Sequence, residues 1–219
     1  SDISHQIKTP LSNIKLYLEM LTGETALAEN TETIEKMGKQ VGKLDFLFQS
    51  MIKMSRLETG TIKIQKKRNA ISDTLAAAIG AAIPKADKKN IQIHVEYDET
   101  HRLNHDIKWT GEAIFNILDN AVKYTSRKGN IKVYLERKEN TVALNIKNTC
   151  DTLPEVEPEK LFDRFYRGDS ARTQKSGGYG IGLSVARAIT ESQKGSITAS
   201  YEEKQIIFTV RLKVQNAWS

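Results

Sequence analysis

The chain has 219 residues, of which 39% are hydrophobic and 27% charged, as in an ordinary globular protein of one or two domains. No apolar run approaches the length of about 18 residues that a membrane span needs, so we expect neither a membrane span nor a signal peptide in this sequence. The single cysteine, Cys150, excludes an internal disulfide and fits a reducing cytoplasm. The net charge of +6 comes from scattered Lys and Arg, so we expect nucleotide phosphates or acidic partners and no nucleic acid.

The first predicted element is a helix over residues 1–22. Its apolar side chains recur every three or four residues, at Ile3, Ile7, Leu11, Ile14, Leu18 and Leu21. This spacing is typical of the contact seam between packed helices. At about 100° per residue, His5 points away from the seam, and Pro10 bends the helix beside it. A surface histidine near a proline usually has no function, so only the other motifs of the sequence indicate that His5 is functional.

A second helix follows, with the same spacing at Ile34, Met37, Val41, Leu44, Phe48 and Met51. It is predicted to end near Gly60, which can cap it. Two helices with matching seams form an antiparallel hairpin, and one hairpin has too little apolar surface to be stable alone. We therefore expect a homodimer with a four-helix bundle, and a first domain over residues 1–60.

Strands and helices are mixed without regular alternation from residue 61 onward, which predicts an α+β fold. The expected elements are a strand at Ile62 and Ile64, a helix over 73–88 capped by Ser72, a strand over 91–97, a helix over 107–124, strands over 130–137 and 141–147, a helix over 181–192, and strands over 196–202 and 205–212. Together they predict an α/β sandwich over residues 61–219, with a mixed sheet and helices on one face.

The helix over 107–124 carries one polar stripe opposite an apolar face. The stripe consists of Glu112, Asn116, Asn120 and Lys123. Two amide oxygens one turn apart suit Mg²⁺, which takes few protein ligands and the rest from water and phosphates. A plain solvated helix face is the alternative, although asparagine is a poor helix former.

A glycine-rich segment, residues 176–184, stands directly before the last helix. Glycines let main-chain N–H groups approach an anion, and the helix N-terminus adds its dipole. The segment lacks the Gly-Lys-Ser of a Walker loop, and alone it is a weak signal. Together with the two asparagines it predicts a nucleotide site. Between them, the aromatic and arginine residues of 161–167 can anchor a mobile lid or line a docking face, and the polar run 168–178 looks flexible, as a lid over a ligand would be.

These motifs resemble those of the catalytic part of a bacterial two-component sensor histidine kinase, over nearly the whole chain. Residues 4–11 (Ser-His-Gln-Ile-Lys-Thr-Pro-Leu) resemble the H box, and residues 116–125 the N box. Residues 162–167 resemble the F box, and residues 178–183 the second glycine box. The resemblance implies a dimerisation and phosphotransfer domain, then an ATP-binding domain of the type shared with Hsp90, gyrase and MutL.

Two positions depart from the family pattern. Gln6 follows the histidine where the family usually has Glu or Asp. In the first glycine box, Asn148 holds the place of the adenine-reading aspartate, and Cys150 and Thr152 hold the places of glycines. We therefore expect weak ATP binding and poor discrimination against GTP.

The resemblance also implies residue roles. His5 would be the phosphoryl acceptor, with Gln6 and Thr9 beside it, and Asn116 and Asn120 would hold Mg²⁺. The implied ATP-binding residues are Glu112, Asn116, Asn120, Lys123, Tyr124, Asn148, Phe162, Arg167, Gly178, Gly180, Gly182 and Leu183. The implied partner is a response regulator receiver domain. The implied location is cytoplasmic, as a fragment of a protein anchored in the cell membrane.

Three alternatives remain open at this point. The chain could be a degenerate dimeric scaffold that binds nucleotide weakly, or a regulator dominated by phosphatase activity. It could also be a chaperone-like or DNA-repair ATPase of the same superfamily, although the H box and the heptad hairpin argue against that alternative.

Overall fold

The computed structural model describes residues 3–21, 27–96, 101–138, 140–166 and 179–214, without the side chains of residues 3–8 and 27–30. The chain divides into two compact units, Ser1–Ser55 and Arg56–Ser219. The sequence-based boundary after residue 60 stays a prediction. None of the described helices is both long and apolar enough to cross a bilayer.

The first unit is helical, as predicted. Helix α1 spans Ile3–Leu21 with Pro10 inside it, and α2 spans Leu27–Glu58 and continues into the second unit. Beyond α2, Gly60 adopts φ +68°, and its N–H donates to Leu57 O at 3.2 Å. A β-carbon disfavours this left-handed backbone, which is why glycine ends the helix here.

The apolar seam predicted on α2 is open in the single chain. Ile34, Val41 and Phe48 follow one another at intervals of seven residues, and each is about half exposed. Exposing aliphatic and aromatic side chains in one row to water is unfavourable in free energy, so we expect another surface to cover this row.

The second unit contains a five-stranded mixed sheet and a separate two-stranded ladder. The strands are β1 (Lys67–Ala70), β2 (Gln92–Glu96), β3 (Arg102–His105), β4 (Asn130–Lys138), β5 (Thr141–Thr149), β6 (Ser196–Glu202) and β7 (Gln205–Lys213). The sheet order is β2-β4-β5-β7-β6, in which β2 runs parallel to β4 and the other neighbours are antiparallel. Strands β1 and β3 pair with each other antiparallel.

In the part of this unit that the structure describes, three α-helices form the second layer. They are α3 (Ile71–Asp87), α4 (Ile107–Tyr124) and α5 (Gly182–Ser192), with α4 packed against both others and against β5. The apolar side of α4 is fully enclosed, because Ile114, Ile117 and Leu118 have no exposed surface. The predicted α+β fold, with a mixed sheet and a helical layer, is confirmed.

Two local predictions were wrong. Residues 62–66 form no strand, and the strand lies just beyond, at β1, paired with β3, which the sequence pattern missed. The half-exposed Ile62 and Ile64 alternate because the chain lies on the unit's surface. Ser72 does not cap α3, because the helix already begins at Ile71 and Ala70 is its N-cap without a side-chain hydrogen bond.

Candidate functional site

Helix α4 is fixed at its start by a buried polar cluster. Asp106 is the N-cap, and its Oδ1 accepts from Trp109 N–H at 3.2 Å. The other carboxylate oxygen accepts from Gln65 N–H at 2.8 Å, and the Asp106 N–H donates to Gln193 Oε1 at 2.8 Å. The bond from Trp109 satisfies a donor that a helix start leaves unpaired, and the other two hold the N-cap residue in place, so α4 begins at a defined residue.

The predicted polar stripe of α4 is present and accessible. Its members are partly exposed, in contrast with the buried opposite face: Glu112, Asn116, Asn120 and Lys123. Tyr124, the next residue, is also partly exposed. At the end of the stripe, Lys123 Nζ donates to Tyr124 Oη at 3.2 Å and lies 4.8 Å from the centre of that ring. The cation and the phenol therefore form one unit at the end of α4.

The stripe meets the glycine-rich segment at Asn116. A Cβ atom placed on Gly182 would lie 3.6 Å from Asn116 Oδ1, so the start of α5 lies directly beside this amide. Any longer side chain at residue 182 would extend toward the amide oxygen. The structure thus brings together two predicted site residues that stand 66 positions apart in the chain.

Gly180 is held by residues 165 and 166, at the end of the aromatic segment (residues 161–166). Its carbonyl accepts from Phe165 N–H at 2.8 Å, and both residues have positive φ, +71° and +63°. A Cβ on Gly180 would lie 2.5 Å from Tyr166 O, which is too close for any side chain. Only glycine fits here, so the contact fixes the end of the aromatic segment against the turn before α5.

Phe162 is a core residue in this structure. It is buried, its ring meets Phe208 edge-on at 6.2 Å, and the Arg187 guanidinium lies 4.6 Å from its centroid. Its ring is used in packing here, and the prediction that Phe162 contacts nucleotide stays a prediction. The Leu183 side chain is also buried, so only its main chain is available to a ligand. Arg167 and Gly178 lie outside the described residues.

Asn148 lies on β5 with a buried amide that is only half satisfied. The residue is 1% exposed, its Nδ2 donates to Thr149 O at 3.2 Å, and its Oδ1 has no hydrogen-bond partner among the described residues. Leu144 and Ile146 lie on the same face of β5 by alternation, and both are buried. The Thr149 carbonyl oxygen needs a donor, so the Nδ2 group of Asn148 faces it. The Oδ1 atom of the amide then faces the other way and is free to accept a hydrogen bond.

Cys150 and Thr152, which stand where the resembling family has glycines, differ in burial. Cys150 is buried, its N–H donates to Lys204 O at 2.9 Å, and its thiol also lies near that carbonyl, at 3.5 Å. Burial raises the pKa of this thiol, with Asp151 as a second cause. The thiol therefore lies toward the turn between β6 and β7. Thr152 is exposed.

The H-box residues are described only in part. His5 and Gln6 belong to α1, but their side chains lie outside the described set. Thr9, one turn further, is exposed on the same helix.

Comparison with known proteins identifies the family. The model described as "Histidine kinase-, DNA gyrase B-, and HSP90-like ATPase" matches residues 105–216, and the model "His Kinase A (phospho-acceptor) domain" matches residues 1–60. The chain belongs to the two-component sensor histidine kinase family. The resemblance drawn from the four motifs is thereby confirmed.

A curated relative agrees with this assignment, and solved structures of histidine kinases share the fold. The chain is 30% identical over 213 residues to "Probable sensor protein PcoS" of Escherichia coli, covering 97% of this chain and 45% of that protein. The fold matches the Acinetobacter baumannii histidine kinase AdeS with a TM-score of 0.76 at 19% identity, over 98% of this chain and all of that one. It also matches the histidine kinase ThkA, solved in complex with the response regulator protein TrrA, with a TM-score of 0.76 at 19% identity, over 97% and 60% of the two chains.

Sequence reasoning missed two residues that shape the candidate site. Gln193 supports the start of α4, and Lys89 contacts its end through three carbonyls. Both are ordinary polar residues in turns, and no motif or periodicity distinguishes them. Only the folded chain brings them to α4.

Proposed function

We propose that this chain phosphorylates His5 with Mg-ATP as the phosphoryl donor and passes the phosphoryl group to an aspartate of a response regulator. The observation that carries the proposal is the meeting of Asn116 with Gly182, which joins an amide oxygen to a helix N-terminus in a chain that also has a phospho-acceptor domain. Amide oxygens suit a hard cation, and a helix N-terminus suits phosphate.

The residues present fit Mg²⁺ and the phosphates of ATP. Asn116 and Asn120 would hold Mg²⁺ through their amide oxygens, with Glu112 orienting a water or the metal. Bound Mg²⁺ would neutralise charge on the phosphates during transfer. Lys123 adds a positive charge at the end of the stripe, and main-chain N–H groups around Gly180 and Gly182 would receive the phosphate chain.

The residues also fit an adenine base. The unpaired Oδ1 of Asn148 is an acceptor without a donor, and the exocyclic amino group of adenine is such a donor. Guanine presents a carbonyl oxygen at the same position, which Oδ1 would repel. The contact of Nδ2 with Thr149 O opposes the amide flip that would suit guanine. We therefore expect ATP to be preferred over GTP, in place of the poor discrimination expected from sequence.

In the proposed reaction, Nε2 of His5 attacks the γ-phosphorus in line. An N–P bond forms, the bond from phosphorus to the β,γ-bridging oxygen breaks, and ADP leaves with that electron pair. Gln6 can accept the Nδ1 proton of His5 in a hydrogen bond, which keeps the Nε2 lone pair available. A regulator aspartate would then attack the same phosphorus and release neutral His5.

We also propose the response regulator and a second copy of the chain as partners. ThkA, a protein of this fold, was solved with a response regulator. The exposed seam of α2, with Ile34, Val41 and Phe48, supports pairing of two copies in a four-helix bundle. Thr9, exposed one turn beyond His5, would orient water when a phosphorylated regulator is hydrolysed. Membrane anchoring of the full-length protein stays a prediction.

The test is labelling with γ-³²P ATP and Mg²⁺. We expect label that survives alkali and is lost in acid, as a phosphorus–nitrogen bond requires. His5→Ala should abolish it and leave Mg-ATP affinity and the oligomeric state unchanged, because His5 lies off the predicted seam. Retained label in His5→Ala would refute His5 as the acceptor.

A non-enzymatic scaffold that binds nucleotide weakly is the second candidate. The observation that favours it is the altered first glycine box, in which Asn148 is neutral and residues 150 and 152 are not glycine. Measurable Mg-ATP binding with no labelling of wild-type protein would support the scaffold and refute the kinase. A phosphatase-dominant regulator would instead shorten the lifetime of a phosphorylated receiver domain without self-labelling.

A further inference from the structure

The C-terminal end of α4 has fewer main-chain hydrogen-bond donors than the middle of the helix. The helix ends at Tyr124, and its C-cap, Thr125, is extended at φ −72° and ψ 134°. The Thr125 N–H still donates to Ala121 O at 2.9 Å. Because the chain leaves the helix here, the carbonyls of Val122 and Lys123 lose the donors that a further turn would supply.

Lys89, in the turn after α3, supplies those donors. Its Nζ lies 2.9 Å from Val122 O, 2.8 Å from Lys123 O and 2.6 Å from Thr125 O. An ammonium group has three N–H donors, and here each has a main-chain carbonyl. The positive charge also lies at the negative end of the α4 dipole, where it is stabilising.

The main chain around Lys89 also forms hydrogen bonds with the turn that follows α4. The Lys89 carbonyl accepts from Lys128 N–H at 3.0 Å, and Gln92 N–H donates to Gly129 O at 3.1 Å. Burial lowers the pKa of the Lys89 ammonium, with Arg127 as a second cause. A partly buried cation that uses every donor on one helix end has a defined position, unlike a solvated lysine.

We propose that Lys89 is a positioning residue of the nucleotide site, which keeps the last turn of α4 closed so that Lys123 and Tyr124 are held for the phosphates of ATP. The proposal rests on the proposed function above. It assigns to Lys89 no contact with nucleotide. The start of α4 is fixed separately by Asp106 and by its buried face, so loss of Lys89 should open the last turn and spare the rest of the helix.

The test compares Lys89→Met with Lys88→Met in the full chain. Met keeps most of the aliphatic stem and removes the donors, and Lys88 is the neighbouring exposed lysine, so the control removes the same charge. For Lys89→Met we expect Mg-ATP affinity by calorimetry to fall about tenfold, which is about 1.4 kcal/mol. In the nucleotide-free protein, amide exchange at residues 123–125 should accelerate and that at 113–118 should not. Lys88→Met should match wild type in both.

A rescue experiment separates the cap from a general charge effect. Lys89→Ala lacks three carbons and the ammonium, which n-propylammonium replaces. This ion should restore Mg-ATP affinity and slow exchange at 123–125, whereas tetramethylammonium, with the same charge and no N–H, should not. Equal rescue by both ions would overturn the proposal.

The remaining outcomes also decide. Unchanged affinity and exchange in Lys89→Met, with wild-type protein binding Mg-ATP, would overturn the role of Lys89 alone. Failure of wild-type protein to bind Mg-ATP would instead refute the proposed function. If Lys89→Met does not fold, Lys89→Gln, which is one bond shorter and has two N–H donors in place of three, must also show weaker binding and faster exchange than wild type.

Discussion

Asn148→Asp is the substitution that tests the base end of the site most directly. An aspartate would keep an acceptor at the place of Oδ1 and give it a negative charge. Bonds to charged groups contribute about 1 kcal/mol more than neutral ones, so ATP should bind about fivefold tighter. GTP should gain nothing, since its carbonyl oxygen offers no proton.

The same substitution should lower the free energy of unfolding of the nucleotide-free protein. Asn148 is 1% exposed, and its Nδ2 donates to Thr149 O, a bond that a carboxylate cannot make. A buried charge beside an unpaired carbonyl costs about 1–3 kcal/mol in the free energy of unfolding. Urea unfolding should therefore show a less stable free protein that saturating ATP stabilises more than it does wild type.

Asn145→Asp is the matched control for these measurements. Asn145 lies on the same strand, on the other face by alternation, and is also buried, with its Nδ2 donating to Glu136 at 3.2 Å. It should lose stability and leave ATP affinity unchanged. If Asn148→Asp changes ATP and GTP affinity equally, or neither, then another residue contacts the base and the role given to Asn148 is wrong.

The remaining predictions concern the metal, the acceptor histidine and pH. Asn120→Ala should weaken nucleotide binding with Mg²⁺ far more than without it and barely change unfolding, because a partly exposed amide has little packing to lose; equal affinities by calorimetry would favour a solvated helix face. Gln6→Glu should raise the rate of His5 labelling about tenfold if a neighbouring charge stabilises the ring by about 1.4 kcal/mol, and an equal rate at unchanged ATP affinity would exclude this role. His105 is fully buried between Thr74 Oγ1 and Leu103 O, and burial lowers its pKa, so the unfolded chain takes up a proton first as pH falls below about 6.5. Stability should thus drop toward lower pH, by at most about 1.4 kcal/mol per pH unit from this group, and His105→Gln should flatten that slope in urea unfolding.

The sequence predicted α4 well because each of its signals agrees with the others. An apolar face lies opposite a polar stripe, and both predicted ends match the observed residues 107 and 124. The strand expected at Ile62 and Ile64 was wrong because alternation reports only that every second side chain is half buried. A strand also needs a hydrogen-bonded neighbour. Here β3 pairs only with Lys67–Ala70, which follow the two isoleucines in the chain.

The site shows the same division. Residue types at fixed spacing predicted the stripe and the glycines, whereas the sequence could not show that Gly180 pairs with Phe165. Both residues have positive φ, and each conformation is retained because the other residue's main chain accepts or donates the bond. Likewise, Asn148 was recognised from its position, but the orientation of its amide follows only from Thr149 in the fold.

We expect the altered first glycine box and the unaltered residues of the N box and second glycine box to lie at opposite ends of the proposed nucleotide. At the phosphate end, the two asparagines, Lys123 and both glycines remain, and Lys89 and Phe165 hold the elements that carry them. At the base end, a neutral amide stands in place of a carboxylate. Charge-assisted bonds to phosphate and metal are the stronger contributions, and they do not distinguish one nucleotide from another. Affinity in this chain should therefore come mainly from the phosphates and Mg²⁺, while the choice of adenine rests on the single unpaired oxygen of Asn148.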